Sequence, residues 1–132
     1  MSEEGNANEG RIIPALRCRN AAAAIDWLCA AFGFERKMVV LANGGRVAHA
    51  ELALGNGMIM LGDVETEYGR LVAAPNKGEP VTQGIYVVVE DADSHYARAK
   101  AAGAEIVLDP RLWRAGLHRA RPRRPCLDLR HL

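Results

Sequence analysis

No apolar run in this chain approaches the roughly 20 residues that cross a bilayer, so nothing in it calls for a membrane. The first ten residues, MSEEGNANEG, are acidic and polar and lack the apolar core of a secretion signal, which points to the cytoplasm. Cysteine is scarce. Cys18, Cys29 and Cys126 form an odd set without CxxC spacing, so no disulfide framework or zinc site is suggested, and buried free thiols are expected. Disorder is not indicated either, because 49% hydrophobic and 25% charged residues are the proportions of an ordinary globular chain. A length of 132 residues suits one core, or two small half-domains sharing one.

Charge is nearly balanced overall at +1 but unevenly placed. Residues 111–132 hold seven of the 17 basic groups, all arginine, and one of the 16 acids, Asp128. The other 110 residues therefore carry ten basic and fifteen acidic groups.

The clearest local pattern runs from Gln83 to Pro110. Gly84–Val89 alternates like a strand, Asp91 is placed to cap a helix over Ala92–Ala102, Gly103 ends it, and Glu105–Leu108 reads as a second strand. A looser copy occupies the first half. Ile12–Cys18 is a strand whose Pro14 suits an edge or a start, Asn20 caps a helix over Ala21–Phe32, and Gly33 stops it. Within that helix Ala21, Ile25, Leu28, Cys29 and Phe32 recur at helical spacing and define one buried face. Phe34–Leu41 and Arg46–Leu54 are strands joined across Asn43-Gly44, and Asn56-Gly57 turns the chain into Met58–Leu61. The cap-to-stop spacing is 13 residues in the first copy and 12 in the second, so the chain reads as an internal duplication. The expected fold is α+β with paired β-α-β-β-β modules. The expected divisions are a disordered leader (1–10), a first module (11–64), a linker (65–81), a second module (82–110) and an atypical tail (111–132).

Three segments carry a family resemblance over roughly residues 11–110. They are Ala24-Ile25-Asp26-Trp27-Leu28 with Ala31-Phe32-Gly33-Phe34-Glu35, His49-Ala50-Glu51-Leu52 with Gly55-Asn56-Gly57-Met58-Ile59-Met60-Leu61, and Val89-Glu90-Asp91-Ala92-Asp93 with Lys100-Ala101-Ala102-Gly103-Ala104. They resemble the first helix, central hairpin and second helix of the vicinal oxygen chelate superfamily, which includes glyoxalase I, bleomycin-resistance proteins and extradiol dioxygenases. The resemblance implies sheets curled around a cavity, with helices on the convex side. It also implies a homodimer whose modules complete one another.

Strand alternation then sorts the residues. Leu16 and Cys18 face the helix, leaving Ile13, Ala15 and Arg17 toward the cavity. Ala48, Ala50, Leu52 and Leu54 form the apolar face of the hairpin, so Val47, His49 and Glu51 look the other way. Ile85, Val87 and Val89 pack while Gly84, Tyr86 and Val88 face inward. Enzymes of the superfamily hold a metal on His and Glu ligands. The positions that match those ligands here are Ile13, Leu61 and Gly84, none of which can bind an ion, so no cofactor is expected. The ligand-binding candidates are Arg17, as a clamp for an anion; His49 and Glu51, as anchors, as substitute metal ligands or as a base with its orienting partner; and Tyr86 and Trp27, as cavity lining. For each the competing reading is structural: a solvated arginine, a hydrogen-bonded pair, a core or interface aromatic. His95, beside Tyr96, reads as a helix-surface residue.

The tail departs from the family. Where the resemblance implies two more strands and a motif near D-P-E-G-H-x-W, this chain has RLWRAGLHRARPRRPCLDLRHL, with prolines at 122 and 125 and no strand alternation. A codon choice exists for these residues that, read one nucleotide later, gives DYGGPGYTARDPEGHVWTFGT. Every arginine codon has G in its middle position, so all seven arginines must shift onto residues with G-starting codons, and they land on D, G, A, D, E, G and G. This is the expected reading of the tail: a frameshift in the gene, the clone or its reading, which leaves the second module incomplete.

Three functions are weighed. The leading one is a glyoxalase/bleomycin-resistance-type protein that holds a small molecule in its cavity without metal. The second is a metal-dependent lyase, isomerase or dioxygenase of the same superfamily using His49 and Glu51. The third, and weakest, is nucleic-acid binding through the basic tail, which lacks interleaved aromatics apart from Trp113.

Overall fold

Asn20 and Gly33 bracket helix α1 (Ala21–Phe32) in the computed structural model, which describes residues 10–63, 71–76, 79–105 and the backbone of 126–127. The Asn20 side chain accepts from Ala23 N at 3.2 Å. Gly33 takes the left-handed conformation, φ 80°, and its N–H bonds Cys29 O at 3.1 Å. Both ends are satisfied as the sequence leads one to expect.

The described residues form two units. Those up to Cys29 and from Gly33 to Ala74 make the first, and Ala30–Phe32 together with those from Pro75 onward make the second.

The first unit is built on strands β1 (Ala15–Cys18), β2 (Glu35–Leu41), β3 (Val47–Leu54) and β4 (Gly57–Asp63). They lie in the order β1-β4-β3-β2, with β1 parallel to β4 and the other pairs antiparallel. Register assigns the faces. Leu16 pairs with Leu61, Leu61 with Ala50, and Leu52 with Ile59, and all five are buried. Helix α1 buries Ala21, Ala24, Ile25, Leu28 and Ala31. That stripe covers this face of the sheet, because Arg36, opposite Leu52 in register, forms an ion pair with Asp26 of α1. The apolar period of the helix and the alternation of the strands thus meet in one core.

Strand β4 runs two residues beyond the expected Leu61, and the extension matters. Asp63, at its end, is only 2% exposed. Its Oδ1 accepts from Ala21 N at 2.9 Å and its Oδ2 from Val47 N at 2.7 Å. Arg46 Nη2 lies 3.4 Å from Oδ1. One carboxylate therefore ties the first turn of α1 and the start of β3 to the end of β4, and its negative charge suits a helix N-terminus.

The second unit contains β5 (Ile85–Tyr86), α2 (Ala92–Ala101) and β6 (Cys126–Leu127). Asp91 caps α2, accepting from Asp93 N and Ser94 N at 3.0 and 3.2 Å. Strand β5 is shorter than the expected Gly84–Val89. The alternation nevertheless persists past its end: Val87 is buried while Tyr86 and Val88 are exposed. No strand is expected after Pro110, yet β6 pairs antiparallel with β5, Leu127 opposite Ile85 and Cys126 opposite Tyr86. Such pairing needs only aligned backbone donors and acceptors, which side-chain alternation does not announce. The rest of the tail, 111–125 and 128–132, lies outside the described residues, as does most of the expected strand Glu105–Leu108.

His95 is half-buried rather than on the helix surface. Its Nε2 lies 3.2 Å from Phe32 O and its ring centroid 5.3 Å from that of Phe32. Arg98 Nε donates to Ala30 O at 2.9 Å. Side chains of α2 thus satisfy carbonyls that the last turn of α1 leaves open.

Candidate functional site

The face of the first sheet turned away from α1 carries the polar pair. By register Glu51 lies between Met38 of β2 and Met60 of β4, His49 lies beside Val40, and Ala15 lies beside Met60. His49 Nε2 is 3.2 Å from Glu51 Oε1, with side chains 34% and 26% exposed. Met38 and Val40 are open to solvent and Met60 is half-buried. A hydrogen-bonded imidazole and carboxylate therefore sit in an apolar surround. The i, i+2 spacing on one strand puts them there.

Arg17 occupies the same face, opposite Gly62 in register. Its guanidinium lies across that glycine, where an added Cβ would come within 2.6 Å of Arg17 Nη1 and 2.8 Å of Ala48 O. Nη1 points at Asp63 O, 3.4 Å away, and the residue is only 4% exposed. It is built into the sheet. Cys18, next along β1, faces the core. Burial first, and the nearby Asp63 second, push its thiol up to about 12, against a smaller lowering by Arg17, so it is not a nucleophile at neutral pH.

Four of the five candidates lie in the first unit. Arg17, His49 and Glu51 share one face of one sheet. Trp27, on α1, lies on the opposite side of that sheet and is half-buried. Tyr86 belongs to the second unit and is 46% exposed. The methionines beside Glu51 went unnoticed in the sequence, although alternation along β2 and β4 marks them as neighbours.

The positions that the resemblance matches to metal ligands, Ile13, Leu61 and Gly84, carry no donor side chains. Ile13 precedes β1, Gly84 precedes β5, and Leu61 points into the core with Leu16 and Ala50. Counting from Gly57 places Leu61 at a ligand position, whereas the register places its neighbours Met60 and Gly62 on the open face. Among the described residues no group of three or more His, Cys, Asp or Glu side chains converges. His49 and Glu51 alone do not fit the several converging ligands that a divalent ion requires.

A family model, the Glyoxalase/Bleomycin resistance protein/Dioxygenase superfamily, matches residues 12–118. The chain belongs to this superfamily. The match runs eight residues beyond the resemblance read to Pro110. TioX from Micromonospora sp. ML1 superposes with a TM-score of 0.57 at 33% identity, covering 74% of this chain and 76% of that one. A gene product from Arabidopsis thaliana shares the fold at a TM-score of 0.52 and 18% identity, covering 82% and 84%. Uncharacterized proteins of Mycobacterium bovis and Mycobacterium tuberculosis are 34% identical over 110 residues, 80% of this chain. The match spans 71% of the first and 64% of the second. The α+β architecture is thus that of the glyoxalase superfamily. Among the described residues no helix is long and apolar enough to cross a membrane.

Proposed function

We propose that this glyoxalase-superfamily chain binds a small molecule on the His49–Glu51 face of its first sheet and does so without a metal. The observation that carries the reading is the hydrogen-bonded pair set among Met38, Val40, Met60 and Ala15, a largely apolar surface with a few polar anchors. The lack of donor side chains at Ile13 and Gly84 supports the metal-free form. The protein acts in the cytoplasm as a homodimer, in keeping with a superfamily whose members generally bind small molecules and often dimerise.

A second reading, a metal-dependent enzyme of the lyase, isomerase or dioxygenase kind using His49 and Glu51, is favoured by the same hydrogen bond. A carboxylate on one ring nitrogen fixes the tautomer and leaves the other nitrogen as a base. Elemental analysis of the purified protein separates the readings: no stoichiometric zinc, nickel, iron or manganese is expected, and one equivalent of any of them overturns the metal-free form. Native mass spectrometry of the same preparation tests binding, a retained small mass lost on Glu51→Ala being the expected result.

A further inference from the structure

The polar atoms that the His49–Glu51 pair offers on the open face of the first sheet are acceptors. With Nε2 of His49 placed 3.2 Å from Glu51 Oε1, a neutral ring carries its proton on that nitrogen and donates it to the carboxylate. Nδ1 of His49 then holds a lone pair, and Oε2 of Glu51 is a second acceptor. Two cations near the face, among the described residues, have partners of their own. Arg17 is 4% exposed with Nη1 directed at Asp63 O, and Lys37 Nζ is 3.2 Å from Glu35 Oε2. The flanks of Glu51 are two methionines, Met38 and Met60, whose polarizable thioethers make favourable contacts with aromatic rings.

We propose that the ligand of this face is an aromatic molecule bearing a hydrogen-bond donor, a phenolic hydroxyl or an ammonium group. The donor sits on Glu51 and the ring lies against Met38 and Met60. This rests on the small-molecule reading above and narrows it to a class. An aromatic carboxylate of the same size brings a second negative charge to Glu51 with no donor to compensate it, and is disfavoured.

The test uses the full chain labelled with 13C at its methionine methyls and three probes of one size: 2-naphthol, 2-naphthylmethylammonium and 2-naphthoate. Shifts of the Met38 and Met60 methyls are expected with naphthol or the ammonium at least about tenfold more tightly than with naphthoate. A tighter ammonium identifies a cationic ligand, a tighter naphthol a neutral one. Glu51→Gln is expected to abolish the gap, and Glu51→Asp, which draws the charge back by one methylene, to narrow it. Naphthoate binding as tightly at the same methyls, or a gap unchanged in both variants, overturns the donor class and leaves the site standing. No shift at either methyl with any probe overturns the site itself.

Discussion

Asp63 satisfies two buried backbone N–H groups and faces Arg46 with a single carboxylate. Removing it with Asp63→Ala leaves the amides of Ala21 and Val47 without acceptors, at about 1–3 kcal/mol for each. Urea denaturation is expected to show a loss of about 3–5 kcal/mol, and Asp63→Asn, which keeps one acceptor, a smaller loss. A titrating residue gives a second prediction at this scale. Burial lowers the His95 pKa, the hydrogen bond to Phe32 O partly offsets it, and the positive charge of Arg98 lowers it further. The folded state thus holds the proton less firmly than the unfolded chain, whose histidine titrates near 6.5. The stability that His95 contributes is present above that value and is lost as pH falls through the folded pKa. Melting temperatures of the protein and of His95→Gln, measured between pH 7.5 and 5, are expected to show a steeper acid decline in the parent.

Element by element, the sequence was legible where local rules decide. Asn20 and Gly33 bound α1 because caps are local chemistry, and the faces of β1 and β3 follow from alternation alone. Asp63 was not legible: its partners are backbone groups 42 and 16 residues away, and a Gly-Asp after an apolar run looks like the start of a loop. Counting along a motif puts Leu61 at a ligand position while the register turns it to the core, because counting ignores register and a one-residue slip reverses a strand's faces. The methionines beside Glu51 needed the cross-strand pairing before they could be placed. Strand β2 shows what alternation cannot indicate, since every residue of it is exposed, including Met38, Val39, Val40 and Leu41. It is an edge strand, and its register shifts at Arg36/Met38 and Val40/Leu41 are the irregularities that discourage further pairing. Val39 pairs with Ala50, on the side opposite Glu51. Val39→Lys is therefore expected to reduce self-association in sedimentation velocity while changing stability by under about 0.5 kcal/mol.

For the whole molecule the open matter is the origin of residues 111–132. Sequencing the gene is expected to reveal codons that encode DYGGPGYTARDPEGHVWTFGT one nucleotide later, and an intact frame with incompatible codons rules the frameshift out. Restoring the frame is expected to raise the thermal midpoint and favour a discrete dimer. Strand β1 pairs in parallel with β4, and the first amide of α1 rests on Asp63, so the earliest-made elements depend on the latest-made part of their own unit. At about 5–20 residues per second, the segment around Leu16 and Leu28 waits on the order of seconds after synthesis for its partners. During that interval its apolar stripe has no sheet to cover it, and the first unit closes only once Asp63 has left the exit tunnel.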